Sequence, residues 1–267
     1  MRWRPFWLPE LLLTLLHMTA ARRFVDYQAK LSLRFDGLLP EGFRLDGNRE
    51  FLDTLVPAFV QPRTVVYDVG GGKNPVVAPQ RKAELGLRVI GLDIDGEELA
   101  SAPAGAYDQT VCADISAYRG SGDGDLVICQ ALLEHVRDTG ATLRAISSLL
   151  KPGGRALIFV PSRNAVYARL NLLLPEALKR KILFAVFPNM RRDHGFPAFY
   201  DRCTPAEFVG MAAQHSLVTE DCRLYFQSDY FRFCFPLHAA WRLWVLLFRL
   251  FAGRQAAETF TLILRKQ

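Results

Sequence analysis

The chain has 267 residues, half of them hydrophobic, which is enough for one large α/β domain or one domain with sizeable inserts. Its formal net charge of +6 points to an acidic partner, whether nucleic acid, anionic membrane surface or acidic substrate, without choosing among them. The five cysteines are odd in number and contain no Cys-x-x-Cys pair; they read as reduced thiols in a cytosolic protein and set aside a disulfide framework or a zinc site.

Residues 1–18 begin basic and run apolar, in the manner of a signal peptide. Glu10 and His17 interrupt the run, however, and Arg22-Arg23 follow directly. The stretch is too short to span a bilayer. It reads as an amphipathic helix packed on the domain or lying on a membrane surface. Leu11, Leu12, Leu15 and Leu16 have helical spacing, and Asn48 is placed to cap a helix carrying Phe51, Leu52, Leu55, Val56 and Phe59. Residues 1–60 are therefore expected to form a helical cap on a domain spanning 61–267.

From Thr64 the pattern alternates. Strands are expected at 65–69, 88–92, 109–112, 125–130 and 155–160, because these runs are continuous and rich in Val, Ile and Leu, as strands buried on both faces are. Helices fit at 76–86, 95–101 and 138–150, the last closed by Lys151-Pro-Gly-Gly154. This is a doubly wound sheet, with ligand residues due at the strand C-termini. Two apolar inserts follow, at about 163–202 and 229–254. Between them lie a capped helix starting at Thr204-Pro-Ala-Glu207 and a strand at 217–226, and a final strand runs over 258–265.

The chemistry concentrates at the strand ends. The first strand ends in Asp68, followed by Gly70, Gly71 and Gly72. Glycines let backbone approach a ligand closely. A dinucleotide fingerprint wants another glycine where this chain has Pro75, and a carboxylate ahead of the loop repels phosphate. Asp68 suits a cationic, donor-bearing ligand, and S-adenosylmethionine has a sulfonium, an ammonium and no phosphate. The plain alternative is a tight strand-to-helix turn. Asp93, with Ile94 after it, ends the second strand and can accept from a ribose diol; the competing role, capping the next helix, suits Asp95 better. Asp114 ends the third strand, where it can accept from an adenine amine while the Ile115 N–H reaches a ring nitrogen. By itself it would be an ordinary loop aspartate.

Asp68-x-Gly-x-Gly, Asp93, Asp114, the run Asp125-Leu-Val-Ile-Cys-Gln-Ala-Leu-Leu-Glu-His-Val136 and Leu149-Leu-Lys-Pro-Gly-Gly154 together resemble a class I S-adenosylmethionine-dependent methyltransferase of type 11. The resemblance covers about residues 64–161 and the closing strands. It implies a Rossmann-like α/β sheet of seven strands with helices on both faces, the last strand antiparallel beside the fifth. It also implies that Asp68 and Gly70–Gly72 contact the methionine portion, that Asp93 binds ribose and Asp114 and Ile115 adenine, and that backbone near Gln130 lies beside the methionine portion or the transferring methyl. Glu134-His135 resembles the Glu-x-x-Glu-His magnesium site of the ubiquinone-biosynthesis O-methyltransferases. Here the first position is Ala131, which removes a hard oxygen ligand, so no metal is expected. Lys73 either reaches a cofactor carboxylate or faces solvent.

A hydroxyl acceptor benefits from a general base, and the candidates are His194, in Arg191-Arg-Asp-His194, and His135. Tryptophans flanked by arginines over 241–251 fit an interfacial helix, against the alternative of an ordinary lid. The expected activity is O-methylation of a small-molecule or lipid-linked acceptor in the cytoplasm, at the inner face of the membrane. The competing readings are an RNA or protein methyltransferase, supported only by the net charge, a catalytically inactive cofactor-binding scaffold, and a nicotinamide oxidoreductase, disfavoured by Pro75.

Overall fold

A computed structural model of the chain describes residues 8–175, 197–227 and 230–267, with side chains from Arg22 onward. Seven strands form one sheet: β1 (Val65–Val69), β2 (Arg88–Asp93), β3 (Gln109–Cys112), β4 (Gly124–Gln130), β5 (Leu150–Pro161), β6 (Leu217–Tyr225) and β7 (Thr259–Lys266), in the order β3-β2-β1-β4-β5-β7-β6. β1 to β5 run parallel. β7 pairs antiparallel with both β5 and β6, as the resemblance implies. Because the order reverses beside β1, a crevice opens at the C-terminal ends of β1 and β4.

The helices are α1 (Leu8–Asp36), α2 (Pro79–Leu85), α3 (Gly96–Ala100), α4 (Thr139–Leu149), α5 (Val166–Leu173), α6 (Pro205–Ala213) and α7 (Phe235–Ala252). The helix expected at 76–86 starts only at Pro79, which lacks an N–H and so suits a first turn; Gly86 ends it in the left-handed region. Asp95 caps α3 and Thr204 caps α6, as the spacing predicts. The helix expected over 138–150 runs from Thr139 to Leu149. Lys151 to Gly154 do not form a free turn, however, but bulge out of β5, whose pairing jumps from Gly124–Leu150 to Leu126–Arg155.

The segment before β1 is helical from Gly47 to Phe59, with a π turn over Phe51–Leu55. Pro57 cannot donate to the preceding turn, and the wider turn absorbs that loss. Asp46, not Asn48, caps it, accepting from the Asn48 and Arg49 N–H groups at 3.0 and 3.1 Å. A carboxylate one residue outside the helix reaches both donors, whereas Asn48 already lies inside the first turn. Phe51, Leu55, Val56 and Val60 are buried on one sheet face with Val66, Leu126, Ile128 and Leu157. Each such side chain contributes about 1.5–3 kcal/mol of apolar burial. The N-terminal cap therefore shares its core with the sheet.

On the side of β6 and β7, α7 packs Trp241 and Val245 against Phe226, Ala256 and Ala257. α1 is clamped to it by charge: Asp36 Oδ1 lies 2.9 Å from both His238 Nε2 and Arg242 Nε, all three residues being buried. Arg242 also donates to the Phe226 and Phe43 carbonyls. A guanidinium can be buried only when its donors find such acceptors.

Candidate active site

β1 delivers Asp68 to the crevice almost completely buried, at 1% exposure. Its carboxylate accepts the Val76 N–H at 2.8 Å, and the Tyr107 hydroxyl lies 3.4 Å away. A Cβ on Gly71 would sit 2.7 Å from that carboxyl group, so only glycine lets the loop lie flat on it. Gly70 and Gly72 have φ of +81° and +47°, conformations that favour glycine. Burial pushes the Asp68 carboxyl up to about 6; the Val76 and Tyr107 hydrogen bonds pull the other way, and the Asp93 charge adds to the rise. Its Oδ1 is buried without a hydrogen-bond partner. Lys73, at the loop's far end, pairs with Glu98 at 3.1 Å.

Beyond the loop lies a cavity of about 430 Å³, whose walls include Gly70, Asp93, Ile94, Asp114, Ile115 and His135. Five residues expected from three separate strand ends thus meet around one space. Asp93 Oδ1 accepts the Asp95 N–H at 3.0 Å; burial, then the neighbouring Asp95 and Glu98 charges, raise its pKa against the pull of backbone hydrogen bonds. Ile94 presents an apolar side chain to the cavity at 59% exposure. Asp114 caps the short turn Ile115–Ala117, its Oδ1 accepting the Ser116 N–H and Oγ–H at 2.8 and 2.7 Å. Asp93, Asp114 and Asp138 outnumber the single guanidinium of Arg137 in its walls, so the cavity is acidic on balance and suits an uncharged nucleoside with a cationic tail better than a phosphate. The accepting carboxylates of Asp93 and Asp114 beside the apolar Ile94 side chain fit S-adenosylmethionine.

Asp68, Gly71 and Gly72 support this cavity from below and do not form its walls, and Gln130 turns away to donate to Asn48 at 2.7 Å. His135 does line it. Its Nδ1 lies 3.0 Å from the Pro197 carbonyl and its Nε2 3.7 Å from Glu134 Oε1. Glu134 is buried with one carboxylate oxygen unpartnered, and burial pushes its carboxyl up to about 8. The Glu134 carbonyl accepts the Phe199 and Tyr200 N–H groups at 2.7 and 3.0 Å, which fixes segment 197–200 as the opposite wall. His194 lies outside the described residues, as does the rest of 176–196. Among the described residues, no group of three or more His, Cys, Asp or Glu side chains is arranged to hold a metal ion.

Sequence reasoning missed Ala131, Pro197 and Phe199. Ala131 bends the chain after β4 with a φ of +49°, rare for a residue with a Cβ, and Arg137 stacks on the Phe199 ring at 4.3 Å. No local signal marks them, because the two walls are 62 residues apart in the chain.

A second cavity, about 640 Å³, lies between α1, residues 44–53 and the chain after β6, with Asn48 in its wall. Its carboxylates are engaged: Asp36 with His238 and Arg242, Asp46 in capping, and Asp53 with Arg49 at 3.8 Å.

Residues 67–158 match the protein family described as Methyltransferase domain. Among curated proteins, the chain is 31% identical over 160 residues to a ubiquinone biosynthesis O-methyltransferase from Colwellia psychrerythraea, covering 57% of this chain and 60% of that protein. A protein of the same name from Aeromonas salmonicida is 29% identical, with 58% and 63% covered, so the chain spans less than two thirds of the length of these relatives. One from Xanthomonas axonopodis pv. citri is 27% identical over 218 residues, covering 76% of this chain and 86% of that protein. Among solved structures, an S-adenosylmethionine dependent methyltransferase from Mesorhizobium loti superposes with a TM-score of 0.54 at 17% identity, covering 83% of this chain and 99% of that one. The [4+2]-cyclase SpnF superposes at 0.50 with 15% identity, covering 81% and 80%. The likeness establishes the fold, and a cyclase among the neighbours shows that the fold alone does not name a reaction.

Proposed function

We propose that this chain, which carries a methyltransferase domain at residues 67–158, transfers a methyl group from S-adenosylmethionine to a hydroxyl of a small, quinone-type acceptor. The observation that carries this reading is the convergence of Gly70, Asp93, Ile94, Asp114 and Ile115 on one cavity. The name shared by its relatives supports the acceptor class.

When bound, S-adenosylmethionine supplies an electrophilic methyl and a sulfide leaving group that needs no proton. Asp93 accepts the two ribose hydroxyls, Asp114 and the Ile115 N–H take the adenine edge, and the Gly70–Gly72 loop over Asp68 meets the methionine portion. The main catalytic work is then alignment of the acceptor oxygen and exclusion of water. His135 serves as the general base. The Pro197 carbonyl can only accept, which puts a ring proton on Nδ1 and makes Nε2 the basic atom of the ring. His194 is the second candidate for this role.

Among the described residues no helix is long and apolar enough to cross a membrane. A quinone-type acceptor partitions into lipid, and we place the enzyme in the cytoplasm, working at the inner face of the membrane.

The test is calorimetry with S-adenosylmethionine and, as a control, NAD, on the wild type and Asp93→Ala. The wild type binds only the former. The variant loses about a hundredfold in affinity, as expected when a carboxylate accepting two hydrogen bonds is removed. Full affinity in the variant overturns the role of Asp93, and binding of NAD alone overturns the function.

A further inference from the structure

Helix α7 has two unlike faces. His238, Trp241, Arg242 and Val245 fill the inner one and are buried. The outer one carries Leu243, Trp244, Leu247, Leu250 and Phe251, which are 52, 52, 53, 78 and 88% exposed. Spacings of three, four and seven place all five on a single stripe. Trp244 stacks on Phe248 with ring centroids 5.8 Å apart, so the stripe is stiffened at its middle. A stretch of large apolar side chains this exposed marks a surface that meets something.

The surrounding charge says what it meets. The helix contains no acidic residue; Arg242 is spent on Asp36 in the interior, which leaves the half-buried Arg249 and the exposed Arg254 just after the helix as the cations at this surface. α1 docks on it through Asp36–His238 and through Gln28 Oε1, which accepts the Phe235 N–H at 2.9 Å. From Arg22 onward, where its side chains are described, that helix exposes Arg22, Arg23, Lys30 and Arg34 against one exposed acid, Asp26, with Phe24 and Tyr27 exposed among them. A second copy of the chain would set this basic surface against itself, at a cost in repulsion. Anionic headgroups complement it, and arginines beside a tryptophan-bearing apolar face suit the headgroup boundary.

α7 also stands at the right place. It connects the end of β6 to the start of β7, and Tyr225, Thr259 and Pro161 lie in register there, at the C-terminal edge of the parallel strands. The cofactor cavity opens at that same edge.

We infer that the outer stripe of α7 seats the protein on an anionic lipid bilayer, holding the C-terminal edge of the sheet toward the lipid from which the acceptor comes. The inference rests on the acceptor class proposed above.

The experiment is co-sedimentation of the full chain with vesicles of phosphatidylglycerol and phosphatidylcholine, and of phosphatidylcholine alone, for the wild type and for Leu247→Glu/Phe251→Glu. Both side chains are exposed, so the variant keeps its melting temperature. The wild type pellets with the anionic vesicles, less so as salt rises, and the variant binds about tenfold or more weakly. Equal binding by the two proteins, or a wild type that stays in the supernatant, overturns the inference. So does a wild-type dimer in light scattering that the variant abolishes, because a second copy would then own the stripe. S-adenosylmethionine calorimetry on both proteins separates the two readings: vesicle binding without cofactor binding sinks the methyltransferase proposal alone, and cofactor binding without vesicle binding sinks this one alone.

Discussion

The Gln130 side-chain amide donates to Asn48 Oδ1 across 2.7 Å, joining residues 82 positions apart. Gln130 ends β4, and Asn48 lies in the first turn of the segment that covers one face of the sheet. Gly47 makes the approach possible, because a Cβ there would fall 2.3 Å from the Tyr225 ring. Asn48 also lines the second cavity. The bond therefore holds the N-terminal cap against the C-terminal end of β4.

Loss of this bond is expected to change acceptor binding and leave the cofactor alone. A neutral hydrogen bond contributes about 1 kcal/mol, so Asn48→Ala and Gln130→Ala should each raise the acceptor KM about fivefold. The double variant should be little worse than either single one, because both remove the same contact. Steady-state kinetics with calorimetry on S-adenosylmethionine checks this; additive losses would mean that the two side chains act separately.

His135→Gln keeps a polar side chain against the Pro197 carbonyl and removes the base proposed above. The expected loss is about 10²–10⁴-fold in kcat, with cofactor affinity unchanged. A variant that retains the wild-type rate transfers the role to another group, with His194 first to be tried.

Stability should fall as pH rises from 5 to 9, and Glu134 should be a main cause. Burial raises its folded pKa to about 8 from the ordinary 4.5. Below 4.5 both states hold the proton. Between these values the folded protein keeps a proton that the unfolded chain has lost, so each rising pH unit costs up to about 1.4 kcal/mol until ionisation is complete. Asp68, raised to about 6, and Glu258, raised to about 7, act in the same direction over narrower windows. Glu134→Gln should therefore melt higher than the wild type at pH 8.5, by several degrees relative to the difference at pH 4.5. A difference that does not grow with pH would show that Glu134 ionises freely in the fold.

The elements that could be read in the chain are those whose cause is local. Continuous Val, Ile and Leu runs marked β1, β2 and β4 because parallel strands are buried on both faces, and Asp95 and Thr204 marked helix starts because a capping oxygen sits two or three residues from its donors. The Asp46 cap was assigned to Asn48 because both residue types cap well and only backbone geometry separates them. Lys151 to Gly154 ended a helix as expected, but their return into β5 as a bulge depends on pairing with β4, which no spacing reveals.

The amino-acid order by itself determined the α/β sheet and the strand ends where Asp68 and Asp93 stand, since a buried strand with a carboxylate at its end is written within ten residues; Asp114 follows the exposed edge strand β3, and its place was implied only by the resemblance. Tertiary structure alone decided that Asp68 supports the glycine loop from beneath while Asp93 and Asp114 face the cavity. It alone brought Pro197 to His135 and Phe199 to Glu134 across more than sixty residues. It also turned one face of α7 inward around a buried Arg242 and left the other bare. Those outcomes depend on which surfaces meet when the chain closes, and burial, left-handed backbone at Ala131 and long-range hydrogen bonds exist only after it has.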